Sequence, residues 1–289
     1  MEQVIVNGLY LGAQYALIAL GLTLIFSLMN VLNFAHGQMY VLGGFVTYTV
    51  VEQFQLPFVV GLLASALVLA ATGGLVERFL FRPVISKSRR EESTMLLAAG
   101  IAFFLDAVIL LLFGEKQRGV PKIIDGVLNW DFVIVMPYDR IAIGLLAIGL
   151  IVAFILFMQH SRTGRAMRAL AQDKVAARLM GVDVDRYSMI GFALGAMLAG
   201  VVGGLLVTIT GVNLGMGGPT SIKAFMMIMI GGAGVISGAI MGGFILGMLE
   251  SVGLTVLAAS GDITYLVIFA SLMVFLALRP HGLMGKPWG

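Results

Sequence analysis

Side chains able to do chemistry are few in this chain, and they cluster. Between Asn30 and Gly44 the sequence reads NVLNFAHGQMYVLGG, which sets Asn33, His36 and Gln38 beside Phe34, Gly37 and the pair Gly43-Gly44. Glu77, Asp106, Lys223 and Glu250 fall within or beside apolar runs. Donors and acceptors in such surroundings line a pathway or bond neighbouring helices. Asp106 sits in the middle of GIAFFLDAVILLLF. A charge at that depth costs roughly 2.5–3.5 kcal/mol to insert, so Asp106 is expected to be protonated, paired or turned toward a cavity. Lys223 and Glu250 are candidates for a mutual pair. Glu77 and Arg78 read as an interfacial, snorkelling pair at a span end. Asn33, Phe34, His36, Gly37, Gln38, Lys223 and Glu250 are therefore the candidate pathway residues.

Other chemistries find no foothold. There is no cysteine, which excludes disulfides and thiolate metal sites, and His36, His160 and His281 are too widely spaced for a zinc motif. No metal or cofactor is expected in this chain. The glycine strings GGAG (231–234) and GGFILG (242–247) lack the Lys-Ser/Thr of a phosphate-cradling loop. They read as small-residue helix contacts, so the chain does not bind ATP by that device and no catalytic residue is expected.

The elements that position these residues follow from composition. Of 289 residues 60% are hydrophobic and 11% charged, against about 25% charged in soluble domains. The reading is an all-α polytopic membrane protein of eight or nine spans. Candidate spans are 4–28, 33–52, 57–80, 95–113, 141–158, 187–210, 213–232, 234–258 and 262–279. Those at 33–52 and 213–232 are polar and glycine-rich, as broken or re-entrant helices are. The start, MEQVIVNGLY, lacks a basic n-region and reads as the first span, not as a cleaved leader.

Charge sets orientation. Arg82, Lys87, Arg89 and Arg90 follow the third span; Arg162, Arg165, Arg168, Lys174, Arg178 and Arg186 fill 159–186; Arg279 and Lys286 close the chain. Basic loops stay in the cytoplasm, which places the N-terminus outside and the C-terminus inside for an odd count. The net charge of +3 is thereby explained by topology and membrane lipid, without nucleic acid. The quartets of spans over 1–113 and 187–279 start on opposite sides, and each has a polar second segment. That pattern predicts an inverted repeat joined by a connector at about 114–160 and a cytoplasmic loop at 159–186. Such repeats hold a transport pathway between the halves.

Five stretches carry a family resemblance: NGLYLGAQYALIALGLTLIFSLMNVLNFAHGQMYVLGG, VERFLFRPV, HSRTGRAMRALAQDKVAARLMGVDVDR, IKAFMMIMIGGAGVISGAIMGGFILGMLES and RPHGLMGKP. In this order they resemble the permease subunit of ATP-binding-cassette importers for branched-chain amino acids, of the LivH type, over nearly the whole chain. The resemblance implies a second homologous permease, two cytoplasmic ATPase subunits and a periplasmic or extracellular binding protein. It implies residence in the cell's inner or plasma membrane. VAARLMG (175–181) is similar to the coupling motif E-A-A-x-x-x-G, with Ala176, Ala177 and Gly181 matching and Val175 in place of the acid. Gly164, Arg165 and Asp173 join them as implied coupling residues. A short helix closed by a glycine C-cap can enter a cleft on a partner. Arg162, Arg165 and Arg168 share one side of a helix, and serve topology, lipid phosphates or docking.

Two departures stand out. The family often has Pro where this chain has Ser237, and commonly Glu where it has Gln38. Rival readings are the same family carrying urea, short amides or another amino acid, an ion-coupled carrier using Asp106 or Glu250, and a facilitative channel.

Overall fold

The computed structural model describes residues 2–88, 91–130, 134–255 and 261–285; Arg89, Arg90 and Lys286 lie outside them. The elements in chain order are α1 (Glu2–Met29), α2 (His36–Tyr48), α3 (Phe58–Val76), α4 (Arg82–Lys87), α5 (Glu91–Phe113), β1 (Val127–Trp130), β2 (Ile134–Pro137), α6 (Tyr138–His160), α7 (Arg162–Gln172), α8 (Lys174–Leu179), α9 (Val184–Leu206), α10 (Gly217–Gly231), α11 (Ile236–Thr255) and α12 (Gly261–Leu278). Wider turns extend α2 through Thr49–Gln53 and join α3 to α4 through Glu77–Phe81.

Six helices among the described residues are long and apolar enough to cross a membrane: α1, α3 with its extension, α5, α6, α9 and α11. A shorter apolar helix, Ile263–Leu278, lies within α12. The polar segments behave differently. α10 has 15 residues and rises only about 20 Å, and α2, 13 residues lengthened by the five of Thr49–Gln53, rises about 25 Å, both short of the roughly 30 Å of hydrocarbon. Among the described residues the apolar segments are thus six long helices, the shorter Ile263–Leu278 and the two short helices α2 and α10.

α1 is the hub. In its most apolar window 83% of residues are buried, against 22% for α5 at the periphery. α1 packs on α11 and α9, while α3 packs on α9. Small residues let the backbones approach: a methyl on Gly247 would meet the Gly12 Cα at 2.6 Å, and one on Gly195 would meet the Gly21 carbonyl oxygen at 2.6 Å. Without a hydrophobic drive between helices in lipid, such close van der Waals seams supply the association. The glycine string GGFILG of α11 is part of such a seam, with Gly243 against Ala16 and Gly247 against Gly12.

At one end of the bundle Gln3 exchanges hydrogen bonds with Val135, and Arg118 and Val212 form a paired bridge. At the other, Leu28 meets Gly191, Phe26 meets Gly234, and the tail residues Leu283 and Met284 donate to Ile230 and Gly231. The antiparallel hairpin β1–β2 was not expected in an all-α chain. It belongs to the connector, outside the helical bundle. Glu77 also departs from expectation. Its buried carboxylate takes a two-pronged bond from Arg82, with Nη2 at 2.7 Å, while Arg78 lies over the Phe79 ring. A guanidinium one turn along reaches a buried acid better than the adjacent residue does. Arg82 also donates to the Asp185 carbonyl, tying α4 to α9.

Candidate functional site

α1 ends at Asn30, whose φ of 56° is the left-handed cap that asparagine tolerates. The chain then doubles back beside α1. The Asn33 side chain accepts from the Ala35 N–H at 3.1 Å, a local turn that launches α2. His36 is fully buried, and its Nε2 lies 3.1 Å from the Ile18 carbonyl, midway along α1. Glycine at 21 admits the ring, since a Cβ there would stand 3.0 Å from its Cε1. α2 therefore starts at half the depth of the bundle.

α10 starts at the same level. Ser221 Oγ accepts from the Gly37 N–H at 2.9 Å and donates to the Phe34 carbonyl at 2.9 Å. Gly37 packs so closely on the Gly217 carbonyl that α2 could carry no side chain there, and Gly217 in turn packs against the Gln38 side chain. Two half-helices thus meet by their N-terminal ends. Beside the meeting point lies a cleft of about 570 Å³, lined by residues that include Phe34, Gln38, Asp106, Gly218, Ser221 and Phe225. Gly218, Ser221, Ile222 and Phe225 form one face of α10, at i, i+3, i+4 and i+7, and Ala99, Ala102, Phe103 and Asp106 repeat that spacing on α5. The Phe34 and Phe225 rings pack at 5.0 Å. Gln38 Nε2 donates to Asp106 Oδ2 at 3.4 Å. Gln38 Oε1 and Asp106 Oδ1 are buried atoms with no hydrogen-bond partner among the described residues.

Lys223 and Glu250 lie elsewhere. Lys223 is two positions from Ser221, on the far side of α10. Its Nζ is 3.1 and 3.2 Å from the Glu250 carboxylate oxygens. Tyr15 donates to Glu250 at 2.5 Å and Tyr265 at 3.1 Å. Lys223 also bonds the Tyr15 hydroxyl at 2.5 Å and lies over both tyrosine rings. The cluster ties α1, α10, α11 and α12 together. Of the candidate pathway residues, Phe34 and Gln38 line the cleft, Asn33, His36 and Gly37 shape its floor, and Lys223 and Glu250 sit apart from it.

The basic segment 159–186 is a rigid elbow. Ser161 Oγ caps α7 by accepting from the Gly164 N–H at 2.8 Å. Gly164 packs against the Phe157 and Met158 carbonyls, where a side chain has no room. Arg165 donates to the His160 carbonyl, and Arg168 to those of Met158 and Gln159. These guanidinium groups close the C-terminal end of α6 and oppose its dipole. Asp173 caps α8, accepting from the Val175 and Ala176 N–H groups at 2.7 and 3.0 Å. Gly181, at φ 83°, ends it. Ala177 turns inward and is buried, so the tip presents Val175, Leu179 and Met180, the last two 83% and 84% exposed. Reading the motif alone passed over these three; their spacing, with Val175 and Leu179 four apart, was the available signal. Ser221 was missed in the same way.

Comparison with known proteins matches residues 4–276 to the family described as "Branched-chain amino acid transport system / permease component". The chain is 33% identical to the high-affinity branched-chain amino acid transport system permease protein BraD of Pseudomonas aeruginosa, covering 99% of this chain and 96% of that protein. It is 31% identical to the corresponding permease protein LivH of Escherichia coli K12, over 97% and 94% of the two. A probable branched-chain amino acid transport permease protein of Methanocaldococcus jannaschii shares 29% identity over 99% of this chain and 94% of its own.

Proposed function

The chain belongs to the family of branched-chain amino acid transport permease components, and on that premise we propose how its parts share the work. It is a membrane-spanning subunit of an ATP-binding-cassette importer that moves branched-chain amino acids inward. The elbow α7–α8 docks on a cytoplasmic ATPase subunit, one of a pair that hydrolyses ATP. A second homologous permease closes the open side of the cleft. A binding protein outside delivers substrate to the Gln3–Val135 end. The N-terminus lies outside and the C-terminus inside, in keeping with the basic elbow standing at the end where α1 finishes.

The quartets 1–113 and 187–279 act as inverted repeats. Their packing supports this: α1 against α11 corresponds to α9 against α3, and α2 meets its counterpart α10. Half-helices at matching positions of inverted repeats mark a solute path. The cleft beside them is the pathway, and motion of the elbow opens it to one side or the other.

The observation that carries the docking assignment is the apolar tip of α8. Val175, Leu179 and Met180 stand in water on a helix that is capped at both ends. Apolar side chains held rigidly in solvent mark a contact surface. Substituting both Leu179→Asp and Met180→Asp is expected to abolish co-purification of the ATPase and ATP-driven leucine uptake, while the permease still folds. Retention of both would overturn the assignment. Of the two carboxylates an ion-coupled carrier could use, Glu250 is held by one ammonium and two hydroxyls, and uptake driven by an ion gradient without any ATPase would favour that rival through Asp106. The near-full-length relatives favour branched-chain amino acids over urea or amides.

A further inference from the structure

We propose that the cleft is a zwitterion half-site in which Asp106 and Gln38 receive the ammonium group of the amino acid in transit and the first turn of α10 receives its carboxylate. The assignment rests on reading the chain as an amino acid permease.

The argument is an accounting of donors and acceptors. Gln38 spends an amide N–H on Asp106 Oδ2. That leaves Gln38 Oε1 and Asp106 Oδ1, on two side chains joined by that bond, buried and without a partner among the described residues. Gln38 is 6% exposed and lines the cleft. A buried acceptor without a partner is costly, and these two border a cleft where a ligand's donors can reach them. Two acceptors, one of them a carboxylate, match a group with several N–H donors and a positive charge. An ammonium has three donors.

The opposite pole lies next to them. Among the described residues no side chain caps α10 at its N-terminus. Its first turn includes Pro219, which has no N–H, so an anion there meets the positive end of the helix dipole and the N–H of Gly218. Gly217 packs against the Gln38 amide, and a Cβ there would lie 2.7 Å from Nε2. The acceptor pair and the helix end are thus neighbours, as the two charges of an α-amino acid are. Gly218 lines the cleft with no atom within 4 Å of where its Cβ would be, so its backbone stays open. Phe34, Ile222 and Phe225 complete the wall and suit a branched aliphatic side chain. One side remains open, which keeps contacts few enough for release.

The test uses the whole importer, with both permeases and the ATPases in liposomes, supplied with leucine-loaded binding protein. Asp106→Asn keeps the shape and removes a charge from an apolar helix, so the helix inserts at least as well. Its maximum uptake rate is expected to fall about tenfold, the value of one charge-assisted hydrogen bond. Half-saturation for loaded binding protein is expected to stay the same, because docking is untouched, and Asp106→Glu recovers part of the rate. Gly218→Ala adds a Cβ that meets no atom within 4 Å, narrows access to the α10 turn and is expected to lower the maximum rate likewise. Phe104→Ala, on the outer face of α5 at 66% exposed, leaves uptake unchanged. Wild-type maximum rates in both Asp106→Asn and Gly218→Ala, or a change confined to half-saturation, would overturn the half-site. If the unmutated importer takes up no leucine with ATP, the amino acid reading itself fails.

Discussion

Two polar clusters share the interior of this bundle and are finished in opposite ways. Around Lys223 and Glu250 every strong group has a partner: an ammonium against a carboxylate, two tyrosine hydroxyls, and two rings beneath the charge. Around Gln38 and Asp106 one hydrogen bond of 3.4 Å joins the pair, and an acceptor on each is unfilled. Both clusters lie against α10, on different faces of the helix. A saturated network in a low-dielectric interior rigidifies what it touches. An unsaturated one stores a binding demand. The difference separates a clamp from a site, although intramembrane charge alone would mark both as functional.

The largest expected effect comes from breaking the clamp. Glu250→Gln leaves Lys223 as a buried ammonium without its counter-charge, at a cost of about 3–5 kcal/mol. Thermal unfolding of the purified permease in detergent should shift down clearly. The double variant Lys223→Met with Glu250→Leu removes both charges and should recover most of that loss, since an apolar replacement of a buried pair is often neutral or better. If the single and double variants are equally destabilised, the cluster holds the helices by shape and not by charge pairing.

Much of this contrast was written in the sequence, and the remainder was not for identifiable reasons. Glycines and polar side chains at 33–44 and 213–232 marked the half-helices, because broken backbone in a membrane needs both. The Lys223–Glu250 pair followed from the cost of a lone charge in lipid. The tyrosines that complete it come from α1 and α12, far away in sequence, and no local pattern announces them. The face of α5 bearing Asp106 was legible as Ala99, Ala102, Phe103, Asp106, yet its meeting with Gln38 spans 68 positions and depends on how α5 docks. In the elbow, Gly181 and the alanines stood out by their type. Which side of α8 faces water, and hence the importance of Leu179 and Met180, needed the packing of Ala177. The arginines of α7 looked like topology signals, and two of them also seal α6.

An intermediate effect is expected where the two half-helices are stitched. Ser221→Ala removes one hydroxyl that serves both the Gly37 N–H and the Phe34 carbonyl. Two backbone groups at the cleft floor lose their partner, at about 1–3 kcal/mol. Stability should fall less than in Glu250→Gln, and amide exchange at Gly37 should speed up. Unchanged exchange would mean that another group already supports the α2 start.

The smallest stability effect belongs to the cleft itself. Gln38→Leu removes an amide whose oxygen is unfilled and whose N–H makes one long bond to Asp106. The change also leaves Asp106 Oδ2 without that partner, but Asp106 borders the open cleft, so stability should fall by about 1 kcal/mol at most, the low end of that cost. A loss as large as that of Glu250→Gln would make Gln38 part of the scaffold and erase the distinction between the two clusters. A near-zero change, set beside the large loss at Glu250, would locate the polar demand of this bundle where a solute can meet it: in the cleft, and away from the clamp.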